Sequence, residues 1–184
     1  GFALPLATQT VRALGLGVAV ATAADNLPQV STDEADRYWH HALAVALTAR
    51  ELARRVGVRD RDRAFVAGFL HDVGLPLALL EASDRAAESG RGSSEGQTRT
   101  VSLEGSRPGH PEAGARLVEQ WDLAPDLAHA IRVHHDSEFD TTSGQADALV
   151  RTLQVADWLT ASQGLSVSGD PAASAGVPTA RAAL

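Results

Sequence analysis

The stretch GFLHDVG, residues 68–74, places an imidazole and a carboxylate side by side at the end of an apolar run. Neighbouring side chains on a helix diverge by about 100°. His71 and Asp72 can therefore both reach one metal-sized volume only at the buried end of a helix, where Gly74 supplies a stop. An isolated His-Asp dipeptide is most simply a core histidine beside a solvated aspartate, so the surrounding chain has to supply the case for a site.

Working outward, the run before it, with Ala64, Phe65, Ala67, Gly68, Phe69 and Leu70, reads as a helix over about 62–73 capped by Asp60 or Asp62. Its small Ala67 and Gly68 suit close packing on a neighbour. Upstream, Ser31 and Glu34 have capping-box spacing. They open a helix over 33–56 whose stripe is Ala42, Val45, Ala46, Ala49, Leu52, Ala53 and Val56, with Gly57 as its stop. His41 borders that stripe one turn before Val45. Residues 5–26 are apolar at helical spacing, but Gly15 and Gly17 favour two short helices over one.

Downstream, Pro76 admits a short helix over 75–81, and residues 83–107, rich in Ser, Gly, Arg and Glu, read as a surface loop. Pro111 opens a helix to about Trp121, and Pro125 opens another that ends in His134 and His135. The last strong helix, 146–162, flanks Asp157 with Leu149, Leu153, Val155, Ala156 and Leu159. No segment alternates with period two, so the fold class is all-α. The domain spans residues 1–162, and the Gly-, Ser-, Pro- and Ala-rich residues 163–184 read as a flexible tail. Trp39, Trp121 and Trp158 are expected to anchor one core.

Composition bounds the chemistry. With no cysteine, any metal must be held by histidine and carboxylate. The basic residues are all arginine and isoleucine occurs once, a bias expected of a GC-rich bacterial genome. A net charge of -7 without an arginine-lined face argues against nucleic acid as a partner. The apolar stretch 14–24 is too short to cross a bilayer, so a cytoplasmic protein with no membrane partner is expected. The chain starts at Gly1 and holds no methionine, which reads as an excerpt of a longer polypeptide.

Six of the seven histidines (all but His129) lie at helix ends or face boundaries, and Asp72 and Asp157 sit in apolar surroundings. A buried carboxylate needs a cation or a donor. In order, His41, His71 with Asp72, His110, His134 with His135, and Asp157 resemble the ligand series of the HD superfamily of metal-dependent phosphohydrolases. The segments WHHALAVALTARELA, AFVAGFLHDVG, HPEAGARLVEQWDLAPDLAHAIRVHH and VADWL narrow this to the HDOD family, the HD-related output domain of bacterial signalling proteins, over residues 11–161.

The resemblance implies an HD-like helical bundle, here lacking the first helices of the full domain. It implies one or two divalent ions: His41, His71, Asp72 and Asp157 for the first, His110, His134 and His135 for a second, and Asp72 as the bridging and potentially catalytic carboxylate. Nitrogen and oxygen donors suit iron, manganese, zinc or nickel. The implied function is a signal-transduction output module whose partners are other signalling domains or proteins. The alternative is a phosphohydrolase acting on a nucleotide or other phosphorylated small molecule, and a third reading is a purely structural cluster. Two departures weigh against cyclic di-nucleotide hydrolysis. Leu75 stands where HD-GYP enzymes carry lysine, and DSEFDTTSG follows the double histidine in place of Gly-Tyr-Pro. With no lysine in the chain, only arginine remains to hold a phosphate, and Arg37 and Arg107 are the nearest candidates by sequence.

Overall fold

The computed structural model describes residues 4–27, 30–81, 109–136 and 144–167. They form α1 (Leu4–Asp25), α2 (Thr32–Val56), α3 (Arg61–Leu70), α4 (75–81), α5 (His110–Gln120), α6 (Pro125–Arg132) and α7 (Gly144–Ser162). No strand occurs among the described residues, as the absence of period-two alternation predicts. The expected loop at 83–107 lies outside the described residues.

Helix α2 is the central element, packed chiefly against α3 and then α7. Its start is the predicted capping box: Ser31 accepts from the Glu34 amide, and the Glu34 carboxylate accepts from the Ser31 amide at 3.0 Å. Its end is Gly57, left-handed at φ 77°. The contact with α3 depends on Gly68, where a Cβ would lie 2.7 Å from the Ala46 Cα. Helices α2 and α3 therefore meet backbone to backbone, which brings His41 towards His71.

Helix α1 is continuous from Leu4 to Asp25, which corrects the expected break near Gly15. A Gly15 side chain would meet nothing, whereas a Cβ on Gly17 would lie 2.7 Å from Leu70 and 2.8 Å from Phe69. The glycine that looked like a breaker is thus a packing notch. The cost of about 1 kcal/mol per helical glycine is offset by apolar burial against α3.

Gly74 closes the turn that separates two helices, as expected, and also serves a close contact. The chain turns at 71–74 and resumes at once as α4. A Cβ there would collide with the His110 carbonyl and the Gly114 amide, so Gly74 is where the start of α5 presses onto the turn. The stretch Arg61–Glu81 is long and apolar enough by composition to cross a membrane, but 78% of its apolar window is buried inside the domain. It is a core element of this fold.

The core comprises a main cluster joining α2, α3, α5, α6 and α7, and a smaller one of Ala21, Tyr38, Leu75, Leu79 and Val167. Trp121 packs on the first and Trp39 on the second, and all three tryptophans are partly exposed, so the expected single tryptophan-anchored core is corrected. The indoles close the edges of two apolar layers. Of residues 163–167, expected to begin a loose tail, Gln163 to Leu165 are exposed, but Ser166 and Val167 are buried. Residues 168–184 lie outside the described residues.

Candidate metal centre

His71 and Asp72 occupy the tight turn after α3, one step beyond the expected helix interior. The turn is held by Val73 N to Leu70 O at 3.0 Å and Leu75 N to Asp72 O at 2.9 Å. His134 and His135 occupy the equivalent turn after α6, closed by Asp136 N to Val133 O at 3.0 Å. Carbonyls at a helix C-terminus lack intrahelical partners, and here each turn uses one of them to hold an imidazole. His71 Nδ1 lies 2.8 Å from Gly68 O, and His134 Nδ1 lies 2.6 Å from Ile131 O, three residues back in both cases. His41, in the middle of α2, reaches Leu165 O at 2.7 Å from the segment after α7.

A carbonyl oxygen only accepts, so all three Nδ1 atoms carry the proton, and in the neutral rings the Nε2 lone pairs face inward. They converge on Asp72. Its Oδ2 is 3.3 Å from His71 Nε2 and 3.5 Å from His41 Nε2, while its Oδ1 is 3.0 Å from His110 Nε2 and 3.8 Å from His134 Nε2. Asp157 Oδ1 lies 3.2 Å from His41 Nε2 and 3.9 Å from His71 Nε2. The two oxygens of one carboxylate thus face two ligand sets. His41, His71 and Asp72 form one, and Asp72, His110, His134 and His135 form the other, each compact enough to hold one ion. Every residue singled out for the site is brought into it, while the exposed His40 and His129 lie outside.

His71 is fully buried, His110 is 1% exposed, His134 2%, Asp72 3% and His41 4%, whereas His135 is exposed. Burial disfavours charge on His71, yet the Asp72 carboxylate and then Asp157 outweigh it and raise its pKa from 6.5 to about 9. Burial also opposes charge on Asp72, and the surrounding imidazoles overcome it, holding the carboxyl well below its ordinary range. Asp157 is lowered in the same sense, burial again being outweighed by its bond to His41 and by His71. His134 is pushed well below 6.5 by burial and then by the neighbouring imidazoles. The group is therefore two anions set among imidazoles, with positive charge drawn to His71, around a volume that favours a cation.

The donor set fits a divalent cation. With Nδ1 of both His41 and His71 protonated, their Nε2 lone pairs face each other at 3.2 Å, which is repulsive unless a proton or a metal lies between them. Nitrogen and carboxylate donors with Nδ1–H fixed by carbonyls are the usual surroundings of zinc, iron or manganese.

Two supports escaped the sequence reading. Gln154, buried on α7 three residues before Asp157, donates through Nε2 to Val133 O at 3.1 Å and Asp136 O at 3.0 Å, bracketing the His134–His135 turn. A lone amide inside the apolar run of α7 was its only signal. The other is the Leu165 carbonyl, which has no side-chain signature at all. Arg37, a candidate for phosphate, donates through Nε to Val167 O at 3.1 Å. Arg107 lies outside the described residues.

The sequence profile of the HDOD domain matches residues 6–137. An uncharacterized protein of Treponema pallidum (strain Nichols) is 27% identical over 145 residues, which cover 70% of this chain and 26% of that protein. The crystal structure named "Putative phosphohydrolase from Shewanella amazonensis SB2B" matches with a TM-score of 0.56 and 25% identity, covering 87% of this chain and 57% of that one. The chain therefore spans well under two thirds of either relative. An all-helical fold among the described residues and a profile match over most of the chain lead to one assignment: the chain belongs to the HDOD family.

Proposed function

We propose that this domain is a signal-transduction output module of a bacterial signalling protein, built around an HD-type site for one or two divalent ions. His41, His71, Asp72 and Asp157 would hold one ion and His110, His134 and His135 a second, with Asp72 offering one oxygen to each set. The observation that carries this reading is the convergence of five imidazoles on the two oxygens of Asp72, in two donor sets each compact enough to hold one ion. When bound, such ions supply Lewis acidity towards a phosphoryl oxygen.

A phosphohydrolase reading has support of its own in the exposed edge at His135, through which a phosphate could reach the second set, and in the similarity to a protein named as a phosphohydrolase. The chain's own residues favour the module. Among the described residues no arginine ion pair involves Asp72 or Asp157, Arg37 is spent on a backbone carbonyl, and Leu75 is buried in apolar packing. Among the described residues, then, no arginine pairs with the cluster's carboxylates in a way that would also hold a substrate phosphate.

Metal analysis of protein purified without chelators, with Asp72→Ala alongside, tests both readings. Retention of one or two ions by the wild type, their loss in a folded Asp72→Ala and no turnover of a generic phosphodiester are expected. Turnover that disappears with Asp72→Ala would establish the hydrolase instead, and a wild type that takes up no manganese, zinc or iron would refute the site.

A further inference from the structure

The five residues after α7 stand apart from the rest of the chain that surrounds the cluster. Gly164 takes φ 80°, a left-handed turn that ends α7, with Gly164 N on Ala161 O at 2.9 Å and Leu165 N on Thr160 O at 3.2 Å. From this turn the backbone runs onto α2, where His41 Nδ1 donates to Leu165 O at 2.7 Å and Arg37 Nε donates to Val167 O at 3.1 Å. Arg37 and His41 are one helical turn apart on the same face. The Val167 side chain, 3% exposed, is buried among Ala21, Tyr38, Leu75 and Leu79.

The cluster's imidazoles are held in two different ways. His71 and His134 take their acceptors from their own helices, three residues back, so their tautomers are set locally. His41 lies inside α2, where the carbonyls of preceding turns are engaged by backbone amides. Its acceptor comes from 124 residues away in sequence. The orientation of His41 is thus conditional on the docking of residues 163–167, whereas that of the other two is not.

We propose that residues 163–167 are a positioning strap, with Gly164 and Val167 setting the Nδ1–H tautomer of His41 and, through it, the affinity of the His41–His71–Asp72 side for a divalent cation. This rests on the metal reading of the cluster and adds its regulation. With the strap docked, His41 Nε2 is aimed at His71 and Asp157. With it released, Nδ1–H loses its acceptor, the ring is free to turn, and that side loses a ligand. Linkage makes the effect reciprocal: a cation on this side stabilises the docked strap by the same factor. The chain that follows residue 167 is thereby coupled to occupancy of the site.

The test measures Zn²⁺ affinity by competition with a chromophoric chelator on the whole chain. Val167→Asp puts a carboxylate into the apolar cluster, and Gly164→Val forces a β-branched residue into a left-handed turn. Each is expected to weaken Zn²⁺ by about 10–100-fold, the range for losing an outer partner of a metal-bound imidazole. Val167→Ile should bind as the wild type does. Leu149→Ala, a core substitution at the far end of α7, should lower the melting temperature without moving the affinity.

Two further readouts separate positioning from simple destabilisation. The ¹⁵N signals of His41 should shift to the other tautomer or average in the strap variants, and Zn²⁺ should slow amide exchange at residues 163–167 of the wild type. Folded strap variants with wild-type affinity, or unchanged His41 signals, would overturn the proposal while leaving the metal reading intact. Should neither variant fold, the wild-type exchange decides, and no slowing with Zn²⁺ counts against the strap. A wild type that binds no Zn²⁺, Mn²⁺ or Fe²⁺ fails the metal reading itself and takes the strap with it.

Discussion

The chemistry of the cluster depends less on its seven charged and aromatic-nitrogen side chains than on the acceptors behind them. Gly68 O, Ile131 O and Leu165 O decide which nitrogen of each imidazole carries the proton, and so which one faces Asp72. Gln154 does the same for a whole turn. Replacing it with leucine removes both donors, leaves the Val133 and Asp136 carbonyls short of a partner and loosens the His134–His135 side. Gln154→Leu should cost about 1–3 kcal/mol in urea unfolding. It should also weaken whichever ion depends on His134, read by metal titration. Unchanged metal binding with lowered stability would make Gln154 a packing residue only.

At the scale of elements, the helices with explicit start and stop chemistry were the ones most fully legible. Helix α2 begins at its capping box and ends at its left-handed glycine as its sequence says it must. Ser31→Ala should therefore destabilise the protein by about 1 kcal/mol, measured by chemical denaturation, and leave metal binding alone. A loss well under half of that would mean the cap is redundant with tertiary packing. A glycine inside an apolar run misled, because Gly17 reads as a breaker although its hydrogen side chain serves close approach. Which of the two roles a glycine plays is settled by the neighbour it meets, and that neighbour lies elsewhere in the chain. The same limit applies to residues 163–167, whose place at the start of a Gly-, Ser- and Pro-rich stretch concealed a docked segment.

For the whole molecule, burying Asp72 and Asp157 beside several imidazoles ties stability to pH. The folded pKa of His71 is raised from 6.5 to about 9, so its contribution is fully present below 6.5 and is lost as pH rises towards 9. The carboxyls are lowered from 3.8, so theirs is present above that value and is lost as pH falls through their folded range. Metal-free protein should thus lose thermal stability steadily between pH 6.5 and 9. Saturating divalent metal should raise the melting temperature and flatten that decline, since the ion supplies the positive charge otherwise carried by the His71 proton. Scanning calorimetry across this range with and without Zn²⁺ checks it. A melting temperature that is flat without metal would show that the two carboxylates are balanced by something other than His71.

The sequence by itself determined the all-helical class, the start and end of α2, the HDOD resemblance and the identity of every histidine and aspartate in the cluster. Those features follow from periodicity, capping and residue types that local physics constrains. Only the tertiary structure decided that Asp72 presents one oxygen to each ligand set, that His71–Asp72 and His134–His135 sit in turns rather than in helices, and that Gln154 and the Leu165 carbonyl hold the imidazoles in place. The physical reason is that ligand geometry is set by contacts over large sequence separation and by backbone carbonyls, which every residue possesses and no residue type reveals.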